Sequence, residues 1–284
     1  MSNSYTLGLY EKSMPDTLSL RDKLLKAKSV GYDFLELSID ETEYRLNRLT
    51  YSAKQLSEMK NEVQDASLPL GSICLSAHRK YPLGSMDVQT REKSLKIMKR
   101  ALDFASYMGI PIIQIAGYDV YYETSTEKTK ALFLENLYLC TQLAAKQAIL
   151  LGFETMETPF MNSVTKALKY VSLVNSAYLQ IYPDLGNIVN AAEGNNTLAN
   201  EDLQRGKGHI IAAHIKETVP GKFREIPYGT GHVDFPLLLE TCWKNGVRRF
   251  VTEFWHTGSQ DWQKQLEESY AYVNGIFFSN KKGQ

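Results

Sequence analysis

The sequence has few cysteines and no excess of either charge. Its three cysteines, Cys74, Cys140 and Cys242, are far apart, and no CxxC pair occurs. A scattered, odd set of cysteines predicts reduced thiols in the cytoplasm, and a chain of 284 residues can bury a stable core without disulfides. Lysine plus arginine equals aspartate plus glutamate at 32 each, so the net charge is zero. This balance argues against general binding to nucleic acid or to anionic membranes.

Long hydrophobic runs and nucleotide-binding motifs are also missing. No apolar stretch approaches the roughly 18–20 residues that cross a membrane. The N-terminal sequence MSNSYTLGLYEKS has neither the basic nor the apolar segment of a signal peptide, so we expect none. No GxGxxG or GxxxxGK(S/T) motif follows the first predicted strand, which disfavours the nucleotide-binding α/β folds.

Short apolar runs alternate with longer amphipathic segments along the whole chain. The runs predict eight strands, at 5–11, 32–40, 70–77, 110–119, 148–156, 179–185, 209–218 and 249–255. The amphipathic segments predict eight helices, at 17–30, 52–66, 87–108, 126–147, 163–175, 199–206, 234–245 and 259–276. This strict alternation predicts an α/β fold, a closed (β/α)8 TIM barrel that forms a single domain over residues 1–284. A doubly wound open sheet is the alternative.

Two connections depart from the regular pattern. Residues 186–209 are rich in Asn and Gly and form the least regular stretch, which we expect to cover part of a site. Residues 217–233 are punctuated by Gly and Pro, so we interpret them as a substrate loop. The loop ends in YGTGHVDF, where Asp234 is expected to cap the following helix.

Polar residues close four successive apolar runs. They are Glu154, Asp184, His214 and Glu253, at intervals of 30, 30 and 39 residues. A βαβ unit takes roughly 30 residues, so each polar residue falls on a different strand. The carboxyl ends of neighbouring parallel strands point to one face, so the four side chains are expected to converge. Each residue taken singly could be a solvated or capping residue.

Three carboxylates and one imidazole have the chemistry of a metal site. Without a thiolate, these donors suit Mn²⁺, Zn²⁺, Co²⁺ or Fe²⁺ better than Cu(I), and a divalent cation would relieve the repulsion among the carboxylates. A bound metal acts as a Lewis acid on a carbonyl, and two glutamates can move a proton to and from the neighbouring carbon. The pattern therefore predicts isomerisation or epimerisation next to a carbonyl.

Basic residues near the same strand ends offer contacts to an anion. His78 and Arg79, in LSAHRKYPLGS, follow the third strand and could bind a sugar phosphate, although an exposed basic turn is the simpler interpretation. Lys216 lies two residues beyond His214, on the same side of its strand. It could reach an enolate or a phosphate, or pair with a glutamate such as Glu36.

Several longer strings of the sequence carry a family resemblance. They are LGLYEKSMP, LSAHRKYPLGS, IQIAGYDVYY, FETMETPFMNSVTKAL, IYPDLGN, HIKETVPGKF, GTGHVDF and VTEFW. In these strings the sequence resembles the L-ribulose-5-phosphate 3-epimerases, also called L-xylulose-5-phosphate 3-epimerases, of bacterial L-ascorbate and pentose catabolism. That family belongs to the metal-dependent TIM-barrel sugar isomerases, which also include the apurinic endonuclease IV group.

The resemblance implies a metal-dependent 3-epimerase that acts on a small ketopentose phosphate. Glu154, Asp184, His214 and Glu253 match the ligands of a divalent metal ion, with zinc or manganese expected. Glu154 and Glu253 match the catalytic pair that stands on opposite faces of the substrate. The implied reaction removes the C3 proton of L-ribulose 5-phosphate, passes through a cis-enediolate and reprotonates the other face to give L-xylulose 5-phosphate, or runs in reverse.

The resemblance also adds two residues to the expected substrate site. Glu157, three residues after Glu154, lies where relatives contact the substrate. Asn187 stands where related ketose 3-epimerases have a histidine, and an amide cannot carry that histidine's proton. The predicted substrate-binding residues are then His78, Arg79, Glu157, Asn187 and Lys216. No nucleic acid and no membrane is expected as a partner, and a homodimer is an option because barrels of this family often form dimers.

Three other functions fit parts of the pattern. A hexulose-6-phosphate isomerase, which moves a carbonyl between C1 and C2, would use the same metal and bases. Endonuclease IV-like DNA repair uses three zinc ions and additional histidines. The five histidines of this chain, Asn187 at one expected ligand position and the zero net charge disfavour it. A non-catalytic sugar-binding protein would leave the four ligands idle, which nothing in the sequence motivates.

Overall fold

Parallel strands alternate with helices along the chain. The computed structural model describes residues 5–281, with side chains described as far as residue 277. The first four residues of the stretch in which we expect no signal peptide lie outside that range. The strands are β1 (Thr6–Tyr10), β2 (Phe34–Ser38), β3 (Leu70–Leu75), β4 (Ile112–Ala116), β5 (Leu150–Glu154), β6 (Leu179–Tyr182), β7 (Ala213–Ile215) and β8 (Arg249–Thr252). The helices are α1 (Leu20–Val30), α2 (Glu43–Asn47), α3 (Ala53–Ala66), α4 (Val88–Met108), α5 (Glu127–Lys146), α6 (Val164–Val174), α7 (Leu185–Ala191), α8 (Asn196–Arg205), α9 (Phe235–Lys244) and α10 (Trp262–Lys281).

The eight strands form a parallel barrel. Their order in the sheet is β6-β5-β4-β3-β2-β1-β8-β7, so the first strand pairs with the last. The remaining gap between β6 and β7 is bridged in parallel between Ile181 and Ile210 and between Asp184 and His214. The predicted TIM barrel is therefore confirmed, and the open-sheet alternative is wrong. All strand ends that carry the predicted ligands lie on one face of the barrel.

Burial and capping explain why these segments form these elements. Every residue of β2, β3 and β4 is buried, as expected for strands covered by helices on one face and by the barrel interior on the other. A capping box begins α3, with Ser52 and Gln55 bonded to each other's backbone N–H groups. Gly31 and Gly109 end α1 and α4 with φ of 115° and 74°, a left-handed conformation that favours glycine. Over residues 5–281, none of the helices is both long and apolar enough to cross a membrane.

The prediction of an irregular stretch at 186–209 is wrong. The segment is mostly helical, since it contains α7 and α8. Several of its Asn and Gly residues lie within these helices, and Gly194 and Asn195 form the junction between them. Asn195 caps α8 by accepting hydrogen bonds from the backbone N–H groups of Thr197 and Leu198, and Gly194 has φ of 81°. The same residue types serve in helix caps and in loops, so composition alone does not separate the two.

Candidate metal centre and active-site cleft

The four predicted ligands converge at the carboxyl ends of consecutive strands. Glu154 ends β5, Asp184 follows β6, His214 lies in β7 and Glu253 directly follows β8. One ligand atom from each lies within 4.8 Å of the ligand atoms of the other three, and all four residues are buried. Asp184 also caps α7, because its Oδ1 accepts a hydrogen bond from the backbone N–H of Asn187 at 2.8 Å. The strand spacing seen in the sequence thus produces one compact cluster.

His214 lies at the centre of this cluster. Its Nδ1 atom is 3.0 Å from Glu154 Oε1 and 3.2 Å from Glu253 Oε2. The Lys216 ammonium is 2.5 Å from Asp184 Oδ2 and 3.6 Å from Glu253 Oε2. Apart from these charged contacts, Asp184 Oδ2 and Glu253 Oε2 have no hydrogen-bond partner among the described residues. Buried carboxylate oxygens that face one imidazole nitrogen are donors that suit a divalent cation.

Burial and neighbouring charges move the pKa values of the cluster in different directions. Burial and the Glu253 carboxylate raise the pKa of Glu154. Burial also favours the neutral form of Glu253, but Lys216 and His214 hold its pKa well below the usual range. Burial raises the pKa of Asp184 well above its usual value, against the opposing effect of Lys216. Carboxylates whose pKa values are pushed apart are suited to giving and taking protons.

Two buried polar residues contact the cluster from the middle of strands. Gln114 in β4 donates a hydrogen bond from Nε2 to Glu154 Oε2. Glu36 in β2 accepts a hydrogen bond from His214 Nε2, with 2.6 Å between the two atoms. From the sequence, Gln114 is not expected in the site, and Glu36 is expected only as a partner of Lys216. A polar residue inside a strand that is otherwise buried and apolar is the signal that could have found both.

A cleft opens beside the cluster and holds two of the predicted substrate-binding residues besides Lys216. It is lined by Tyr10, Lys12, Cys74, Ser76, Arg79, Glu154, Met156, Glu157, Lys216, Phe223, Arg224, Glu253 and Trp255. Glu157 accepts hydrogen bonds from the hydroxyls of Tyr118 at 2.6 Å and Tyr121 at 3.4 Å. The Arg79 guanidinium lies 5.0 Å from the ring centroid of Tyr121. Tyr118 and Tyr121, which follow β4, therefore hold the Glu157 carboxylate and the Arg79 guanidinium at the edge of the cleft.

Two of the predicted substrate-binding residues, His78 and Asn187, do not line the cleft. The buried His78 ring faces α4, with Nε2 3.3 Å from the carbonyl oxygen of Ser94. Burial lowers the pKa of His78 to about 4. Asn187 lies under the cluster, where its Nδ2 donates to the carbonyl oxygen of Thr155 at 2.7 Å. Its buried Oδ1 has no hydrogen-bond partner among the described residues, so an acceptor is available there.

The segment predicted as a substrate loop lies over the cleft. Phe223 and Arg224 belong to the cleft lining, and the Arg224 guanidinium is 5.2 Å from the ring centroid of Trp255. The buried Glu217 carboxylate holds the far end of the loop by accepting backbone hydrogen bonds from Gly229 at 3.0 Å and Val233 at 3.2 Å. The loop leaves a cavity of about 40 Å³ beside the cluster.

A larger groove elsewhere on the surface does not contain the predicted residues. It has a volume of about 890 Å³ and runs between α2 and α4, where Lys93, Lys96 and Glu92 contribute to its lining. No ligand of the cluster reaches it. The convergence of buried acids, imidazole and lysine therefore identifies the smaller cleft as the candidate site.

The family of the chain follows from its sequence. Residues 24–274 match the family model described as the xylose isomerase-like TIM barrel. The chain belongs to this family. Within this xylose isomerase-like group, it is 40% identical over 262 residues to the L-ribulose-5-phosphate 3-epimerase UlaE of Escherichia coli, with 92% of this chain and 91% of that protein covered. The UlaE of Shigella sonnei (strain Ss046) has the same identity and coverage.

Solved structures of the xylose isomerase-like type share the fold. The D-allulose 3-epimerase from Methylomonas sp., solved in complex with D-allulose, has a TM-score of 0.79 and 17% sequence identity. The alignment covers 96% of this chain and 97% of that one. At this identity the likeness shows the fold alone. The resemblance to L-ribulose-5-phosphate 3-epimerases is confirmed by the UlaE sequences rather than by this structure.

Proposed function

We propose that this protein is a metal-dependent 3-epimerase that interconverts L-ribulose 5-phosphate and L-xylulose 5-phosphate. The 40% identity to proteins named L-ribulose-5-phosphate 3-epimerase, over 92% of the chain, supports this isomerase reaction. The observation that carries the proposal is the buried cluster in which Glu154 and Glu253 both approach Nδ1 of His214. Two carboxylates beside one reacting centre can remove a proton from a carbon and return one to it, as epimerisation through a two-base route requires.

Glu154, Asp184, His214 and Glu253 would hold the metal, and zinc or manganese is the proposed ion. Their donor set and the unpartnered carboxylate oxygens of Asp184 and Glu253 fit such an ion. When bound, the ion supplies Lewis acidity that polarises the substrate carbonyl. Lys216 adds a second positive charge next to the same oxygens.

Glu154 and Glu253 are the proposed proton carriers. One carboxylate takes the proton from C3, and the other returns a proton from the opposite face, which inverts that carbon. Between these steps negative charge is shared between C3 and the oxygen on C2, and the Lys216 ammonium beside Glu253 can stabilise it. Gln114 restricts rotation of the Glu154 carboxylate through its hydrogen bond.

The rest of the substrate would contact residues around the cleft. We assign the phosphate to the Arg79 guanidinium, because a planar cation suits that group. Glu157 and the free Oδ1 of Asn187 are the proposed partners of substrate hydroxyls. His78 has no part in this proposal, since it faces α4.

Two broader proposals accompany this function. A single domain over residues 1–284 is supported by the pairing of β1 with β8, which joins the first and last strands in one sheet. A cytoplasmic location is supported by the three cysteines, which are all free and buried.

Proton exchange at C3 tests the proposed function directly. L-ribulose 5-phosphate would be followed by NMR in D₂O with the purified protein, supplied with Zn²⁺ or Mn²⁺. We expect loss of the C3 proton signal together with formation of L-xylulose 5-phosphate. Glu154→Gln and Glu253→Gln should each lower the rate by roughly 10²–10⁴-fold, whereas Glu58→Gln on the exposed face of α3 should not. Near-normal turnover in both site variants would exclude the two-carboxylate mechanism.

A further inference from the structure

Glu36 is a buried carboxylate that lies outside the four-ligand cluster yet contacts it. It sits in the middle of β2, and its side chain has no exposed surface. Its Oε1 accepts a hydrogen bond from His214 Nε2 at 2.6 Å. Its Oε2 accepts hydrogen bonds from the hydroxyls of Ser72 at 2.6 Å and Tyr182 at 2.9 Å. Both oxygens are therefore engaged by protein donors.

The contact with Glu36 determines which nitrogen of His214 can bind a cation. A neutral imidazole carries one N–H, and a carboxylate at 2.6 Å from Nε2 keeps the proton on that nitrogen. The lone pair is then on Nδ1, the atom that faces Glu154 and Glu253. The proton assignment follows from these partners. Without Glu36, either nitrogen could carry the proton and the ring could turn.

We propose that Glu36 is a positioning residue that holds His214 in the tautomer and orientation that bind the metal through Nδ1. This inference rests on the proposed metal-dependent function and extends it to a residue from the opposite part of the barrel. Glu36 does not itself bind the ion, because its two oxygens are already taken by the histidine and the two hydroxyls.

The surrounding residues keep the Glu36 carboxylate in place. Ser72 is its register partner on the neighbouring strand β3, so its hydroxyl is delivered by sheet pairing. Tyr182 ends β6, and its ring centroid lies 4.8 Å from that of His214. The tyrosine thus packs against the imidazole and bonds the carboxylate that orients it. Two hydroxyl donors also offset the cost of burying the charge.

Metal affinity is the measurement that tests this role. The full-length protein would be titrated with Zn²⁺ against a competing chelator, and the Co²⁺-loaded form would be followed by its visible absorption spectrum. Glu36→Gln keeps the size of the side chain but removes its negative charge. We expect it to weaken metal binding by roughly 10–100-fold and to change the Co²⁺ spectrum.

Asp119→Asn provides a matched control. Asp119 is also fully buried and also accepts from two hydroxyls, those of Ser125 at 2.7 Å and Thr129 at 2.6 Å, but it does not contact His214. Its variant should lower the melting temperature and leave metal affinity unchanged. If Glu36→Gln also leaves metal affinity and the Co²⁺ spectrum unchanged, the proposed role of Glu36 is wrong. If the wild-type protein binds no metal, the proposed function itself fails.

Two milder variants keep the test decisive if Glu36→Gln does not fold. Tyr182→Phe and Ser72→Ala each remove one donor to Glu36 Oε2 and leave the contact with His214 in place. Each should weaken metal binding in the same direction and by less. Wild-type affinity in both variants would overturn the inference.

Discussion

Adjacent residues in the turn after β3 lie in opposite environments. His78 is buried against α4, whereas Arg79 faces the cleft and the tyrosines after β4. The sequence shows that both residues are basic and near a strand end. It does not show which way each side chain points, because that depends on the short 3-10 turn at Ser76–Arg79. Two residues with the same predicted role therefore need different tests.

His78 should make the stability of the protein depend on pH. Burial lowers its pKa from 6.5 to about 4, so the unfolded chain takes up a proton that the folded protein resists. The stability from the neutral ring is fully present above pH 6.5 and is lost as the pH falls to 4, by about 3 kcal/mol. His78→Gln should remove this loss. Urea unfolding of both proteins between pH 4 and 6.5 measures the free energy of unfolding as a function of pH. Parallel pH dependences of the wild type and His78→Gln would contradict the prediction.

Arg79 should contribute to substrate binding more than to the chemical step. Loss of a charge-assisted contact to the phosphate weakens the binding of the substrate equally in the ground state and in the transition state. We expect Arg79→Ala to raise KM by roughly 10–100-fold with a smaller change in kcat. Arg100→Ala, on the exposed face of α4, is the control. An unchanged KM would mean that the Arg79 guanidinium only packs against Tyr118 and Tyr121.

At the level of elements, the Glu11 carboxylate, directly after β1, contacts cations from three other segments. Glu11 is fully buried and contacts Arg48 at 2.6 Å, Arg45 at 2.9 Å and Lys23 at 3.4 Å. These cations belong to α1, α2 and the turn that follows α2. The helix α2 is absent from the sequence-based prediction, because a five-residue helix has too few residues to show a periodic apolar face. Charged contacts hold this helix in place.

Removal of the Glu11 charge should destabilise this corner of the barrel. Burial favours the neutral acid, but Arg48 and its neighbours lower the pKa of Glu11 from 4.5 to about 2. Glu11→Gln leaves the buried Arg48 without its carboxylate partner, whereas Arg45 keeps Asp16 and Asp40. We therefore expect a loss of about 3–5 kcal/mol at neutral pH.

The effect of Glu11→Gln should itself depend on pH. The contribution of the ionised carboxylate is present above pH 4.5 and is lost as the pH falls towards 2, so the two proteins should become more alike over that interval. Denaturant unfolding at several pH values measures the difference, with Glu58→Gln as the exposed control. Equal stability of Glu11→Gln and wild type at neutral pH would contradict the prediction.

The elements that could be predicted from sequence are those with a repeated pattern. Each predicted strand contains an observed strand, because a buried parallel strand is a short apolar run. The longer helices were found for the same reason, from their periodic apolar faces. The helices α2 and α7 were missed, since each is short and depends on contacts with distant residues. Glu36 and Gln114 were missed as site residues because strand burial hides which polar side chains meet across a barrel.

At the scale of the whole molecule, the candidate metal centre spans the weakest seam of the barrel. β6 and β7 share only two isolated bridges, and one of them joins Asp184 to His214. The four ligands come from the ends of β5 to β8, on both sides of this seam. The convergence itself could be predicted, because the ligand spacing matches the repeat of the fold. The loop over the cleft and its small cavity could not, since they depend on the conformation of residues 217–233.

Metal removal should therefore lower the stability of the entire barrel. A ligand at 100 times its Kd stabilises the folded state by about 2.7 kcal/mol, which corresponds to an increase in Tm of roughly 4–5 °C for a domain of this size. Calorimetry of the metal-free and Zn²⁺-supplied protein measures this shift. His214→Ala should have the same Tm with and without Zn²⁺. No shift in the wild-type protein would contradict the assignment of the cluster.

The small cavity beside the cluster has a consequence for the timing of turnover. About 40 Å³ has room for only a few water molecules, far less than a ketopentose phosphate occupies. We therefore expect the loop residues Phe223 and Arg224, which line the cleft, to move when a sugar enters and again when it leaves. Opening of the loop over the cleft can then be slower than the chemical step and limit the rate of turnover. In that regime the saturated rate would fall as glycerol makes the solvent more viscous, while the isotope effect of deuterium at C3 would be small.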